Sequence, residues 1–264
     1  MKRTVPAILV TLIFALNLTA CDDFFSSSWG SPREYRAENI NVTVNNLDRW
    51  LERTVGNPPL ARLVSENISR QVQDPHHPHR GRFQSAGVRI ALESSGLGVA
   101  LLGNAMNILS NMADTDDEMD DMLKDVLSGI QGDFRRTDGV GAANTITEIV
   151  INDINPGNVP IFRDNSFAHN PNYATPSDVG QVVLVLTLAV LEERGKDIDD
   201  WDDFNLEKIG LHEVPNEEKV GVEPGASNTL RALAAYLNLI AGDSRFDDNF
   251  LTSAIREAFI GSND

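Results

Sequence analysis

The stretch Thr175-Pro176-Ser177-Asp178, followed by Val179-Gly180-Gln181-Val182-Val183-Leu184-Val185-Leu186-Thr187-Leu188-Ala189-Val190-Leu191, decides the fold. Threonine is a good helix N-cap. Proline fits the first helical position, where its missing N–H would have no partner anyway, and an acid in the first turn meets the positive end of the helix dipole. A helix is therefore expected from 176. The run that follows has almost no polar face, and Gly195 stops it. A helix that is apolar all round must be covered all round, which places this one at the centre of a packed domain.

Outward from that centre, apolar residues keep returning at helical spacing. Leu47, Trp50, Leu51 and Val55 mark a first helix, stopped by Gly56-Asn57-Pro58-Pro59; Leu60, Leu63, Val64, Ile68 and Val72 mark a second, stopped by Asp74-Pro75. Asp74 to Arg82 reads as a loop. Residues 83–112 are mostly apolar, giving one or two buried helices broken near Ser94-Ser95-Gly96, although the alternation of Val88, Ile90 and Leu92 also permits a short strand. Thr115 and Glu118 form a capping box ahead of a helix with Met119, Met122, Leu123, Val126, Leu127 and Ile130 on one face. Ile146, Ile149, Val150 and Ile154 repeat the spacing, with β-branching that suits a strand as well. Residues 227–241 and 247–260, closed by Gly242 and Gly261, supply two more helices.

The fold class is thus all-α: a compact multi-helix domain of about seven to nine helices around a central apolar helix. A loose internal echo joins Trp201-Asp202-Asp203-Phe204 to Phe246-Asp247-Asp248-Asn249-Phe250, each after a Leu-rich helix and a glycine. The offset of about 45 residues is that of helical-hairpin repeats, and acidic helix starts beside aromatic anchors also recur by chance.

The amino terminus carries an address. Lys2 and Arg3 precede an apolar run over 5–18, and Leu18-Thr19-Ala20-Cys21 closes it with the chain's single cysteine. A basic start, a short apolar core and small residues before a cleavage point make an export signal. Leu-Thr-Ala-Cys resembles the lipobox of bacterial lipoproteins. The resemblance covers residues 1–21 and implies diacylglyceryl attachment to Cys21 with cleavage just before it. An ordinary secretory signal and an uncleaved anchor helix are the competing readings; the anchor is disfavoured because a span needs roughly 20 apolar residues and Asn17 interrupts this run. The expected organisation is a signal peptide over 1–20, a Ser-rich flexible tether over 21–39 and a helical extracytoplasmic domain over 40–264.

Removing residues 1–20 takes away two basic residues and no acid, so the net charge goes from −17 to −19 over the remaining 244 residues. That balance argues against nucleic acid, whose phosphates need Lys and Arg, and against adhesion to anionic headgroups. The lipid would be the tether to the membrane. Two acyl chains suffice for stable anchoring, each buried methylene contributing about 0.8 kcal/mol. Without a second thiol, neither an intramolecular disulfide nor thiol catalysis is open to an acylated mature chain.

The sharpest chemical hint is Asp74-Pro75-His76-His77-Pro78-His79, where His76, His77 and His79 are candidate metal ligands, although a solvated polar loop is the favoured reading of them. The acid run from Asp114 to Asp121 fails as a calcium loop: counted from Asp114, Met119 stands where the sharp turn needs glycine and Asp125 where a bidentate Glu is required. The run Asp197, Asp199, Asp200, Asp202, Asp203 places Trp201 among the would-be ligands, and Asp153-Ile154-Asn155-Pro156-Gly157 is a turn by composition. Gly96-Leu97-Gly98 lacks the third glycine of a dinucleotide fingerprint, and His212-Glu213 is followed by Pro215 and Asn216, not a zinc-protease helix. No cofactor is expected. The reading is a non-catalytic binding or adaptor module, lipid-anchored on the extracytoplasmic side of a bacterial membrane, with a protein partner and a place accessory to transport or envelope assembly. The alternatives are capture of a small solute or metal ion through the 76–79 loop, and an envelope enzyme without a recognisable motif.

Overall fold

The structure is a computed structural model and describes residues 39–74, 76–97, 119–150, 175–196, 206–214 and 219–260. Among these residues the chain forms α1 (Leu47–Thr54), α2 (Pro58–Val72), α3 (Arg80–Ser94), α4 (Met119–Arg136), α5 (Gly139–Val150) and α6 (Pro176–Glu193). A hairpin of β1 (Leu211–Glu213) and β2 (Val220–Val222) follows, then α7 (Asn228–Gly242) and α8 (Phe250–Ile260). Short 3-10 turns stand at Leu206–Ile209 and Ser244–Phe246. The fold is all-α with one two-stranded sheet, and the compact unit that holds these elements is Ile40–Asp264. No helix among the described residues is long and apolar enough to cross a membrane.

α6 is the axis of the unit. Its start is a full capping box: Asp178 N–H donates to Thr175 Oγ1 at 3.2 Å, and Thr175 N–H donates back to Asp178 Oδ2 at 2.6 Å. From Val179 to Leu191 every residue except Gln181 is buried, and α3, α4, α5, α7 and α8 all pack on it. Burying each Val or Leu contributes about 1.5–3 kcal/mol, so this helix is a large single contributor to the apolar core that the other helices share. The C-terminal turn is held by three different neighbours: Glu192 pairs with Arg135 of α4, Glu193 accepts from Ser227 and Thr229 at the start of α7, and Arg194 pairs with Glu223 beyond the hairpin.

α2 and α3 form the tightest antiparallel pair, because Gly87 brings their backbones together; a Cβ there would stand 2.7 Å from Ile68 Cγ2. The strand alternative at Val88–Leu92 is corrected to helix. Ala86, Gly87 and Ala91 are buried along with Val88, Ile90 and Leu92, so the apparent alternation comes only from the half-buried Arg89. Three boundaries also move. Pro58 and Pro59 begin α2 rather than merely ending the element before it, with Asn57 Oδ1 accepting from Leu60 N–H at 3.3 Å. The loop expected up to Arg82 ends at His79, and the last helix starts at Phe250, capped by Asn249 Oδ1 accepting from Thr252 N–H at 3.2 Å. Val55 leaves the apolar face: α1 stops at Thr54, which is 1% exposed, while Val55 is 61% exposed ahead of Gly56 at φ +67°.

The amino-terminal edge of the unit is fixed by amides. Asn67 and Gln71 of α2 donate to the carbonyls of Ile40 and Val42 at 3.1 and 2.9 Å, and Asn46 donates to Asn41 O at 2.9 Å. An extended segment without a strand partner thereby has its backbone acceptors satisfied by side chains.

Candidate functional site

An open groove of about 640 Å³ lies where the start of α2, the end of α3 and the α4–α5 turn meet. Pro58, Pro59, Arg62, Leu63 and Glu66 come from α2, Ser94 from α3, and Thr137 and Asp138 from the turn. Helix geometry places Arg62 and Glu66 on one face of α2, and Arg62 Nε donates to Glu66 Oε1 at 3.0 Å. Arg62 Nη1 reaches across the groove to Asp138 Oδ2 at 2.6 Å. The hydrogen bond to Glu66 and the charge of Asp138 both hold the Arg62 guanidinium above its ordinary value. All three side chains are about half exposed, so these pairs contribute only about 0–1 kcal/mol each to folding and are free to be rearranged by a ligand.

Local sequence sets the turn that carries Asp138. Thr137 Oγ1 donates to Asp133 O at 2.9 Å and ends α4, and Gly139 restarts the helix against the ring of Phe134 with no room for a side chain. Gly141 leaves space for the carboxylate; a Cβ there would stand 2.5 Å from Asp138 Oδ1. Gly96, at φ +67°, ends α3 in contact with Thr137 and so closes that end of the groove.

Val55 and Val140 are the exposed large hydrophobic residues among those described, at 61% and 44%, and they stand three residues before Pro58 and two after Asp138. Glu93 Oε2 accepts from Gly56 N–H at 3.5 Å, joining the end of α3 to the residues ahead of α2. Among the described residues the lining holds no histidine, cysteine or lysine, and its two hydroxyls each donate back into the preceding helical turn: Ser94 to Ala91 O at 2.7 Å and Thr137 to Asp133 O at 2.9 Å.

The other candidate residues lie elsewhere. The His77 ring packs edge-on against Phe83 at 5.2 Å and stands 6.3 Å from the His79 ring, and its Nδ1 accepts from His79 N–H at 3.3 Å. His76 is exposed, its N–H donating to Asp74 Oδ1 at 2.9 Å. Among the described residues no three His, Cys, Asp or Glu side chains are grouped to hold a metal ion. His212 is exposed on β1, its imidazole lying over Gly221 of β2. Cys21, the Thr115–Glu118 capping box, the acid run at 197–203, the turn at 153–157 and the first copy of the internal echo lie outside the described residues, as do the side chains of Asp120 and Asp121.

The groove residues carried a weak signal in the sequence. Arg62 and Glu66 are an ordinary i,i+4 pair, and Asp138 is recognisable only as the residue before a helix restart; their meeting depends on the packing of α2 against α5. No protein-family model, curated protein sequence or solved structure matches this chain.

Proposed function

We propose that this protein is a lipoprotein of the bacterial cell envelope, anchored through Cys21 on the extracytoplasmic side, whose helical unit is a non-catalytic binding or adaptor module. The groove around Arg62 and Asp138 is its contact surface. The observation that carries this reading is an open groove lined in part by Pro58, Pro59 and Leu63, with Val55 and Val140, the exposed large hydrophobic residues among those described, within three residues of its lining along the chain. Apolar side chains left in water beside a concave surface favour a protein partner that covers them. The lipobox at 18–21 and the net charge of −19 after cleavage support an anchor made by lipid rather than by a basic patch.

The test is recovery of partners by a tagged full-length chain extracted from membranes, compared with the double variant Val55→Ser and Val140→Ser, which removes the apolar side chains without changing the charge. Both positions are exposed, so the variant is expected to keep its helical circular dichroism and to lose the partner. A partner recovered equally by both proteins contradicts the groove as contact surface, and no reproducible partner contradicts the module.

A further inference from the structure

Resting on the binding-module reading, we infer that the groove takes a basic and apolar segment of its protein partner, with a Lys or Arg side chain competing with Arg62 for the carboxylates of Glu66 and Asp138. Among the described residues two of the three charged side chains that line the groove are acids, and Arg62 bridges them, at 3.0 Å to Glu66 and 2.6 Å to Asp138. The trio leaves one negative charge uncompensated in the lining. The apolar part of the lining is Pro58, Pro59 and the half-buried Leu63, with the exposed Val55 and Val140 near it along the chain.

An apolar surface rimmed with net negative charge is complemented by an apolar segment that brings positive charge. The whole chain points the same way. With a net charge of −19 after cleavage it repels acidic segments, anionic headgroups and a second copy of itself. Arg62 gives the site a built-in competitor: its two ion pairs are half exposed and weak, so an incoming cation takes over one carboxylate while Arg62 keeps the other.

The experiment places the photo-crosslinking residue p-benzoylphenylalanine at Pro59, at Val140 and, as a control on exposed α7 surface outside the groove, at Arg231, each in the full chain in its own membranes. The expected result is adducts at 59 and 140 that map to a partner segment with Lys or Arg within about three residues of the crosslink. Adduct yield is expected to fall about tenfold in the isosteric variant Glu66→Gln with Asp138→Asn, and to rise about threefold in Arg62→Gln, which frees both acids. Adducts that map to acidic or uncharged segments, to lipid or to a second copy overturn the inference, as does a yield indifferent to the neutralised acids. Adducts at 231 with none at 59 or 140 overturn this inference and leave the binding module standing; no adduct at any of the three overturns both.

Discussion

The side-chain amide of Asn238 holds both backbone polar groups of Val220: Oδ1 accepts from Val220 N–H at 2.8 Å and Nδ2 donates to Val220 O at 3.0 Å. An edge strand of three residues cannot stand alone, and here a buried asparagine on α7 replaces the missing strand neighbour. Asn238→Leu leaves the two Val220 groups without those partners and is expected to cost about 1–3 kcal/mol in urea unfolding. Asn238→Asp keeps the acceptor, loses the donor and buries a charge, so it is expected to be at least as damaging.

Ser227 joins two elements with one hydroxyl. Its Oγ accepts from Leu230 N–H at 3.1 Å, capping α7, and donates to Glu193 Oε2 at 2.7 Å, while Thr229 Oγ1 donates to the other carboxylate oxygen at 2.5 Å. Ser227→Ala is expected to lose about 1–2 kcal/mol. Hydrogen exchange of the Leu230 amide is expected to rise in that variant and less in Glu193→Gln, which retains acceptor capacity.

Gly87 is the contact that lets α2, α3 and α5 meet, with an added Cβ 2.7 Å from Ile68 Cγ2 and 2.9 Å from Ile149 Cδ1. Gly87→Ala is expected to destabilise by about 1–3 kcal/mol through overpacking. Ile68→Leu removes the branched methyl that the new Cβ meets first. The double variant is therefore expected to be more stable than the sum of the two single losses, which a double-mutant cycle reads directly.

Tyr236 is fully buried in α7, and burial pushes its phenol well above its ordinary range. The folded state therefore keeps the proton after the unfolded chain has released it at about pH 10. Stability is full below that pH and falls as pH rises beyond it, by about 1.4 kcal/mol per unit for this one group. Unfolding curves between pH 9 and 11 (about the range that brackets the unfolded phenol) are expected to flatten in Tyr236→Phe by that amount.

The order of the helices was legible because their signals are local. Thr175 and Asp178 announce α6, and its all-round apolar surface announces its central place, which the packing of five helices on it matches. Pro58-Pro59 after Gly56-Asn57 reads as a stop because proline breaks helices, yet the same prolines start a helix once Asn57 caps it. The hairpin was illegible: each strand has three residues, and what holds β2 is a side chain on α7, a partner no window along the chain contains. The groove was illegible for a related reason. Arg62 and Asp138 lie on segments that meet only after α2, α3 and α5 have packed, so neither residue type nor spacing marks them.

The proposed lipid tether would decide where the helical unit works, and the intact mass of the protein from the membrane fraction tests it most directly. The expected species is a chain that begins at Cys21 and carries the added mass of a diacylglyceryl group, with Cys21→Ser abolishing both the added mass and membrane retention. An unmodified chain that begins elsewhere contradicts it.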